Sequence, residues 1–245
     1  MRPVHAVLVA IALLAGCGGD DRTTLRVSAA ASLKQAFQDY GSTFDDARVS
    51  FSFAGSDELA AQIRKGARPD VFAAANTKLP DQLYAEDRVE RPVRFAANRL
   101  VVAVPANGSD VSSIADLGNP GVTIAAGSPS VPVGSYTREV LAQLRPQQAK
   151  AIEDNIRSNE PDVAGVVGKV SQGAVDAGFV YITDVRASGD RLKAIDLPVE
   201  PIVVYGAAVV RRTRHRSEAR SFVEGLLRRD GAQALAKAGF EPPAP

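Results

Sequence analysis

Twice in its first quarter the chain runs from a short apolar segment straight into a serine that opens a helix-patterned stretch: LRVSAAASLKQAF around Ser32 and VSFSFAGSDELAAQI around Ser56. A strand that passes directly into a helix points to α/β layering and puts both serines at the carboxyl edge of a sheet. Anions bind at such edges. The first turn of a helix leaves backbone N–H groups unpartnered, and the aligned peptide dipoles add about half a positive charge. A small residue ahead of the helix admits an oxyanion to these donors, and a hydroxyl supplies one more. Serine is also a preferred N-cap, and Gln35, three residues after Ser32, completes a capping-box pattern, so a structural role for each serine stays open on this ground alone.

The rest of the chain continues the alternation. Apolar, β-branched runs predict strands at 25–28, 49–53, 70–73, 100–104, 122–125, 177–181 and 202–210. Helical periodicity predicts helices at 32–45, 56–65, 78–86, 135–144, 162–172, 215–228 and 231–238. This order implies mainly parallel sheets flanked by helices on both faces. The two longer apolar runs, from Arg99 and from Pro201, read as crossings between lobes. The expected division is a first lobe of residues 25–103 with 205–240, and a second of residues 104–204, with the ligand between them.

The amino terminus bears on location. Arg2 precedes an apolar run from Ala6 to Ala15, too short for an ordinary membrane span and shaped like the core of a secretory signal. The run ends in Leu14-Ala15-Gly16-Cys17, which resembles the lipobox of bacterial lipoproteins, and Cys17 is the only cysteine of the chain. The resemblance implies cleavage after residue 16, a lipid on Cys17, and residues 17–24 as a polar tether on the outer side of the membrane. Losing residues 1–16 removes Arg2 and no acid, so a balance of 29 Lys and Arg against 28 Asp and Glu becomes even. No basic excess points to nucleic acid.

Seven segments carry a family resemblance: AAASL at 29–33, FAGSDELAAQI at 53–63, GARPDVFAAAN at 66–76, NRLVVAVP at 98–105, SVPVGSYTREVL at 130–141, EPDVAGVVGKV at 160–170 and AGFVYITDV at 177–185. In this order and spacing they resemble the substrate-binding proteins of bacterial molybdate ABC transporters. The resemblance implies a two-lobed periplasmic-binding-protein fold of type II. It implies molybdate or tungstate as cargo, delivered to a membrane ABC permease, with no cofactor and a monomeric chain. It also implies a site of neutral donors: Ser32 and Ser56 through hydroxyl and backbone N–H, Val133 and Val163 through backbone N–H, and Tyr181 through its phenol. Val133 stands where the family commonly has alanine, Asn76 replaces a frequent aspartate, and Asp57 and Glu58 follow Ser56 where small hydroxyl residues are common.

Local chemistry is compatible with that set. Pro132 suits a first helical turn, Gly134 lets the backbone approach a ligand closely, and Asp162 reads as an N-cap that leaves the Val163 amide in the first turn. None of the five residues titrates between pH 6 and 9, which predicts a flat pH profile. Catalysis is poorly supplied. Histidine occurs only at His5 and His215, the latter inside the basic run RRTRHR, so a serine hydrolase lacks a placed base. No zinc or calcium pattern is present. A receptor for another tetrahedral oxyanion, such as sulfate, is the nearest alternative.

Overall fold

The structure, a computed structural model, describes residues 22–243. The leader, His5, Cys17 and most of the tether lie outside the described residues. From Thr24 the chain alternates β1 (Thr24–Ala30), a 3-10 turn (Ala31–Leu33), α1 (Lys34–Thr43), β2 (Arg48–Ala54), α2 (Ser56–Arg64), β3 (Val71–Ala74), α3 (Lys78–Ala85) and β4 (Val93–Asn98). It continues through β5 (Leu100–Pro105), β6 (Ile124–Gly127), α4 (Pro132–Ala142), α5 (Pro146–Asp154), β7 (Ile156–Glu160), α6 (Val163–Ser171), β8 (Ala177–Tyr181), α7 (Ile182–Ala187) and β9 (Leu192–Ile195). It ends with β10 (Val203–Val209), α8 (Arg216–Gly225) and α9 (Arg229–Lys237).

Two five-stranded sheets result, ordered β2-β1-β3-β10-β4 and β7-β6-β8-β5-β9. They make the two-lobed α/β architecture, but the sheets are mixed where mainly parallel ones were expected. In the first, β1 pairs in parallel with β2 and β3, whereas β10 is antiparallel to both β3 and β4. The second repeats this plan, with β6 parallel to β7 and β8, and β5 antiparallel to β8 and β9. The reason lies in the crossings: β5 and β10 are the strands by which the chain enters one sheet and returns to the other. Because β5 already pairs within the second sheet, the outward crossing falls at Arg99, ahead of the expected residue 103.

Burial follows position. The central strand β3 is buried throughout, while β2, at an edge, alternates exposed Ser50 and Ser52 with the partly covered Val49, Phe51 and Phe53. Phe37 on α1 anchors the first lobe, its ring centroid 6.1 Å from Phe51, 6.0 Å from Phe95 and 5.7 Å from Phe222 on α8. Such offset and edge-on ring contacts add to plain burial. They also tie α8 to the first sheet, whose β1, β2 and β3 carry their carboxyl ends to the cleft.

Candidate functional site

Ser32, Ser56, Val133, Val163 and Tyr181 all line one cavity between the two sheets, at the carboxyl ends of their strands. Its volume, about 20 Å³, suits a small ion rather than a sugar or peptide. Most of the remaining wall is small or apolar, including Ala30, Ala54, Ala75 and Pro132, and no Lys, Arg or His contributes to it.

Neither serine serves as the helix cap that its position suggested. Gln35 donates to Asp39 Oδ1 at 3.0 Å, so no capping box forms, and Ser32 sits inside the 3-10 turn with its Oγ 2.9 Å from Tyr205 Oη. Ser56 is the first residue of α2, behind Gly55, and its Oγ accepts the Ala75 amide at 3.1 Å. A hydroxyl that accepts from the protein keeps its proton for something else.

The backbone donors come from the helix starts. Pro132 opens α4 and Val133 follows it, while Val163 is the first residue of α6. Asp162 caps α6 as its sequence indicates, Oδ1 accepting the Gly165 amide at 3.0 Å. First-turn amides have no acceptor within their own helix, so those of Ser56, Val133 and Val163 are available at the cavity. Gly134 keeps α4 close to the end of β6, since a Cβ there would lie 2.0 Å from the Ser128 carbonyl oxygen.

Tyr181 ends β8 and is 1% exposed, yet its Oη has no hydrogen-bond partner among the described residues. An orphaned buried hydroxyl costs about 1–3 kcal/mol. A ligand acceptor in the cavity would offset that cost. Burial, and next the neighbouring Tyr205, hold the phenol well above its ordinary pKa, so it stays a donor.

Behind this wall lies a buried polar layer that sequence reasoning did not single out. Asn98 Nδ2 donates to Thr183 Oγ1 at 2.9 Å and to Tyr205 Oη at 3.3 Å, and its Oδ1 accepts the Arg99 amide at 2.9 Å. Beside this layer the half-buried Asp184 accepts the Tyr181 amide through Oδ2 at 3.0 Å. Burial pushes the Asp184 carboxyl up to about 7, the hydrogen bond from Tyr181 opposing and the charge of Asp162 adding to the shift. Asn98 and Tyr205 belong to strands of the first sheet, whereas Thr183 and Asp184 follow β8 of the second. The layer therefore joins the lobes beside the Arg99 crossing. Its only sequence signal is polar residues at the ends of apolar strands, a pattern with many structural causes.

The rim is equally close. A Cβ on Gly55 would stand 2.4 Å from the Pro161 carbonyl oxygen across the cleft. Lobes in contact around a small cavity with orphaned donors form a closed solute trap, and residues 25–241 match the family described as bacterial extracellular solute-binding protein. The chain belongs to that family.

Individual relatives of this solute-binding protein agree with its architecture. It is 37% identical over 225 residues to the molybdate-binding protein ModA of Mycobacterium tuberculosis, covering 89% of this chain and 84% of the relative. It is 32% identical to the putative ABC transporter substrate-binding lipoprotein YvgL of Bacillus subtilis, over 96% of this chain and 95% of that one. The periplasmic molybdate-binding protein of Azotobacter vinelandii superposes with a TM-score of 0.78 at 22% identity, covering 90% of this chain and all of the other, which bears on the fold alone.

Proposed function

We propose that this solute-binding protein captures molybdate, and tungstate with it, as a dehydrated dianion and delivers it to an ABC permease. The observation that carries the reading is Tyr181 Oη, buried, unpartnered and set in a cavity whose other donors are serine hydroxyls and helix-start amides. The mycobacterial relative is named for molybdate binding, which supports the choice of anion. In this reading Ser32 and Ser56 give hydroxyl and amide donors, Val133 and Val163 give amides, and Tyr181 gives its phenol. No cation need neutralise the ligand, because donors aimed in advance in a water-excluded site replace its hydration shell. The site is completed within one chain, so a monomer suffices.

The lobes act as two bodies hinged at Arg99 and at the segment between β9 and β10. Each carries part of the donor set, so the site is complete only when they close. Cys17 carries a lipid that keeps the protein on the outer side of the membrane, a reading supported by the lipobox pattern and by the lipoprotein relative. The chain from residue 18 onward contains every described strand and helix and lacks the proposed anchor, which makes it the form to use in solution. Titration calorimetry of that chain with molybdate, tungstate, sulfate and phosphate tests the cargo. The two larger anions should bind at least about a hundredfold more tightly than sulfate, a gap of about 2.7 kcal/mol; tighter sulfate binding would reject the assignment. Incorporation of labelled fatty acid, lost in Cys17→Ser, tests the anchor.

A further inference from the structure

At the opposite end of the first sheet from the oxyanion cavity lies a second cavity, of about 300 Å³, lined by Arg26, Arg68, Arg212 and Arg214 with Asp70, Thr213 and His215. None of the four guanidinium groups has a hydrogen bond or ion pair with a described residue, and all four residues are exposed. The one acid in the wall does not neutralise them. Asp70 is 4% exposed; its Oδ2 accepts the Arg26 amide at 2.7 Å, and its Oδ1 accepts the Thr213 hydroxyl and lies 3.4 Å from His215 Nδ1. Elsewhere on the same surface the arginines are paired: Arg211 with Asp87, and Arg216 and Arg220 with Glu90. In a chain whose charges nearly balance, four unpaired guanidiniums on one concave surface are a segregated charge, and the planar fork of arginine matches phosphate oxygens.

Position says what covers this surface. Arg26 lies two residues into β1, the Asp70 amide donates to the Arg26 carbonyl, and the Val210 amide donates to the Asp70 carbonyl, so the cluster gathers where the first sheet begins. Arg22 precedes Arg26 by four residues, and five residues before Arg22 stands Cys17. Those five residues reach at most about 18 Å, so a membrane holding Cys17 is within reach of the cluster. We propose that this arginine-lined cavity is a docking site for the phosphate groups of an anionic phospholipid surface, which orients the first lobe on the membrane. The choice of a lipid surface rests on the Cys17 anchor proposed above; the cluster does not.

The test uses the chain from residue 18 onward, which has neither leader nor acylation site, sedimented with vesicles of phosphatidylcholine alone or of equimolar phosphatidylcholine and phosphatidylglycerol. It should partition onto the mixed vesicles and not onto the neutral ones, with an affinity that falls as salt rises. Arg68→Gln with Arg214→Gln should weaken partitioning by about fivefold for each arginine removed, whereas Arg145→Gln with Arg157→Gln, on the second lobe, should leave it unchanged. Equal loss in the two pairs would reduce the effect to net charge and overturn the site. Absence of partitioning, or displacement by inorganic phosphate at constant ionic strength, would overturn the lipid assignment, the latter in favour of a free-phosphate site. Molybdate titration of the same variants separates this outcome from failure of the oxyanion reading, because neither pair touches that cavity.

Discussion

Ser32 Oγ lies 2.9 Å from Tyr205 Oη, and either hydroxyl can be the donor. The Arg99 amide fixes the orientation of the Asn98 side chain, whose Nδ2 donates to Tyr205 Oη. A Tyr205 hydroxyl that in turn donates a hydrogen bond to Ser32 Oγ leaves the Ser32 proton for the cavity. Tyr205 is thus a positioning residue for the site. Tyr205→Phe should keep the fold, since the ring packs edge-on against Phe95 and Phe240. It should weaken molybdate binding by about 1 kcal/mol, roughly fivefold in Kd. Calorimetry with a parallel melting curve checks both; unchanged affinity would remove Tyr205 from the site.

Direct donors should cost more. On the proposed reading, Ser32→Ala, Ser56→Ala and Tyr181→Phe would each delete a hydrogen bond to a charged ligand, worth about 1.5–3 kcal/mol. Tyr181→Phe has a second signature. It removes an orphaned buried hydroxyl, so the ligand-free protein should be no less stable, and even more so, while the complex is weakened. Val133→Ala and Val163→Ala keep the amide and should cost much less in affinity. Should the serine and tyrosine variants bind as the wild type does, the donor set is misplaced.

The central strands and the edge strand β2 were legible in the sequence, and the other edges were not. β8 falls where its apolar run predicts, and β1, β2, β3, β5, β6 and β10 come within two residues. The three strands without a sequence signal, β4, β7 and β9, all lie at sheet edges. There one side of the backbone is unpaired and polar residues are tolerated: β7 reads IRSNE and β9 only LKAI. Helix α5 carries no clear sequence signal because Ile152 is its one buried residue, and α7 carries none because it follows β8 without a turn. The five residues that line the cavity as proposed donors follow from a family pattern. Tyr205, Asn98 and Asp184 do not, because a polar group behind a site acquires meaning only once its neighbours are known.

Closure should be open to direct test at Gly55. Its φ of −59° suits any residue, so alanine there causes no backbone strain in the open protein. In the closed form the added Cβ would stand 2.4 Å from the Pro161 carbonyl oxygen, a backbone atom that cannot turn aside. Gly55→Ala should therefore hold the lobes apart. The expected result is at least tenfold weaker molybdate binding at unchanged thermal stability of the free protein, with a smaller contraction on ligand addition in small-angle scattering. A variant that closes and binds normally would show that the rim contact is dispensable.

The pH profile should depart from the flat one that the five donors alone imply, because Asp184 lies behind Tyr181 with its carboxyl raised to about 7. Its pKa exceeds the ordinary carboxylate value in the folded chain, so the folded state holds this proton more tightly. Its contribution to stability is fully present at low pH and is lost as pH rises from about 4 to about 7. Binding follows the same sign: a dianion nearby raises the pKa further, so affinity is greatest while Asp184 is neutral and falls as pH passes 7, by at most about tenfold per unit. Calorimetry at pH 6, 7, 8 and 9 should show this decline in the wild type. Asp184→Asn, whose side-chain carbonyl can still accept the Tyr181 amide, should flatten it. A flat wild-type profile, or a decline that survives in the variant, would exclude Asp184 as the titrating group.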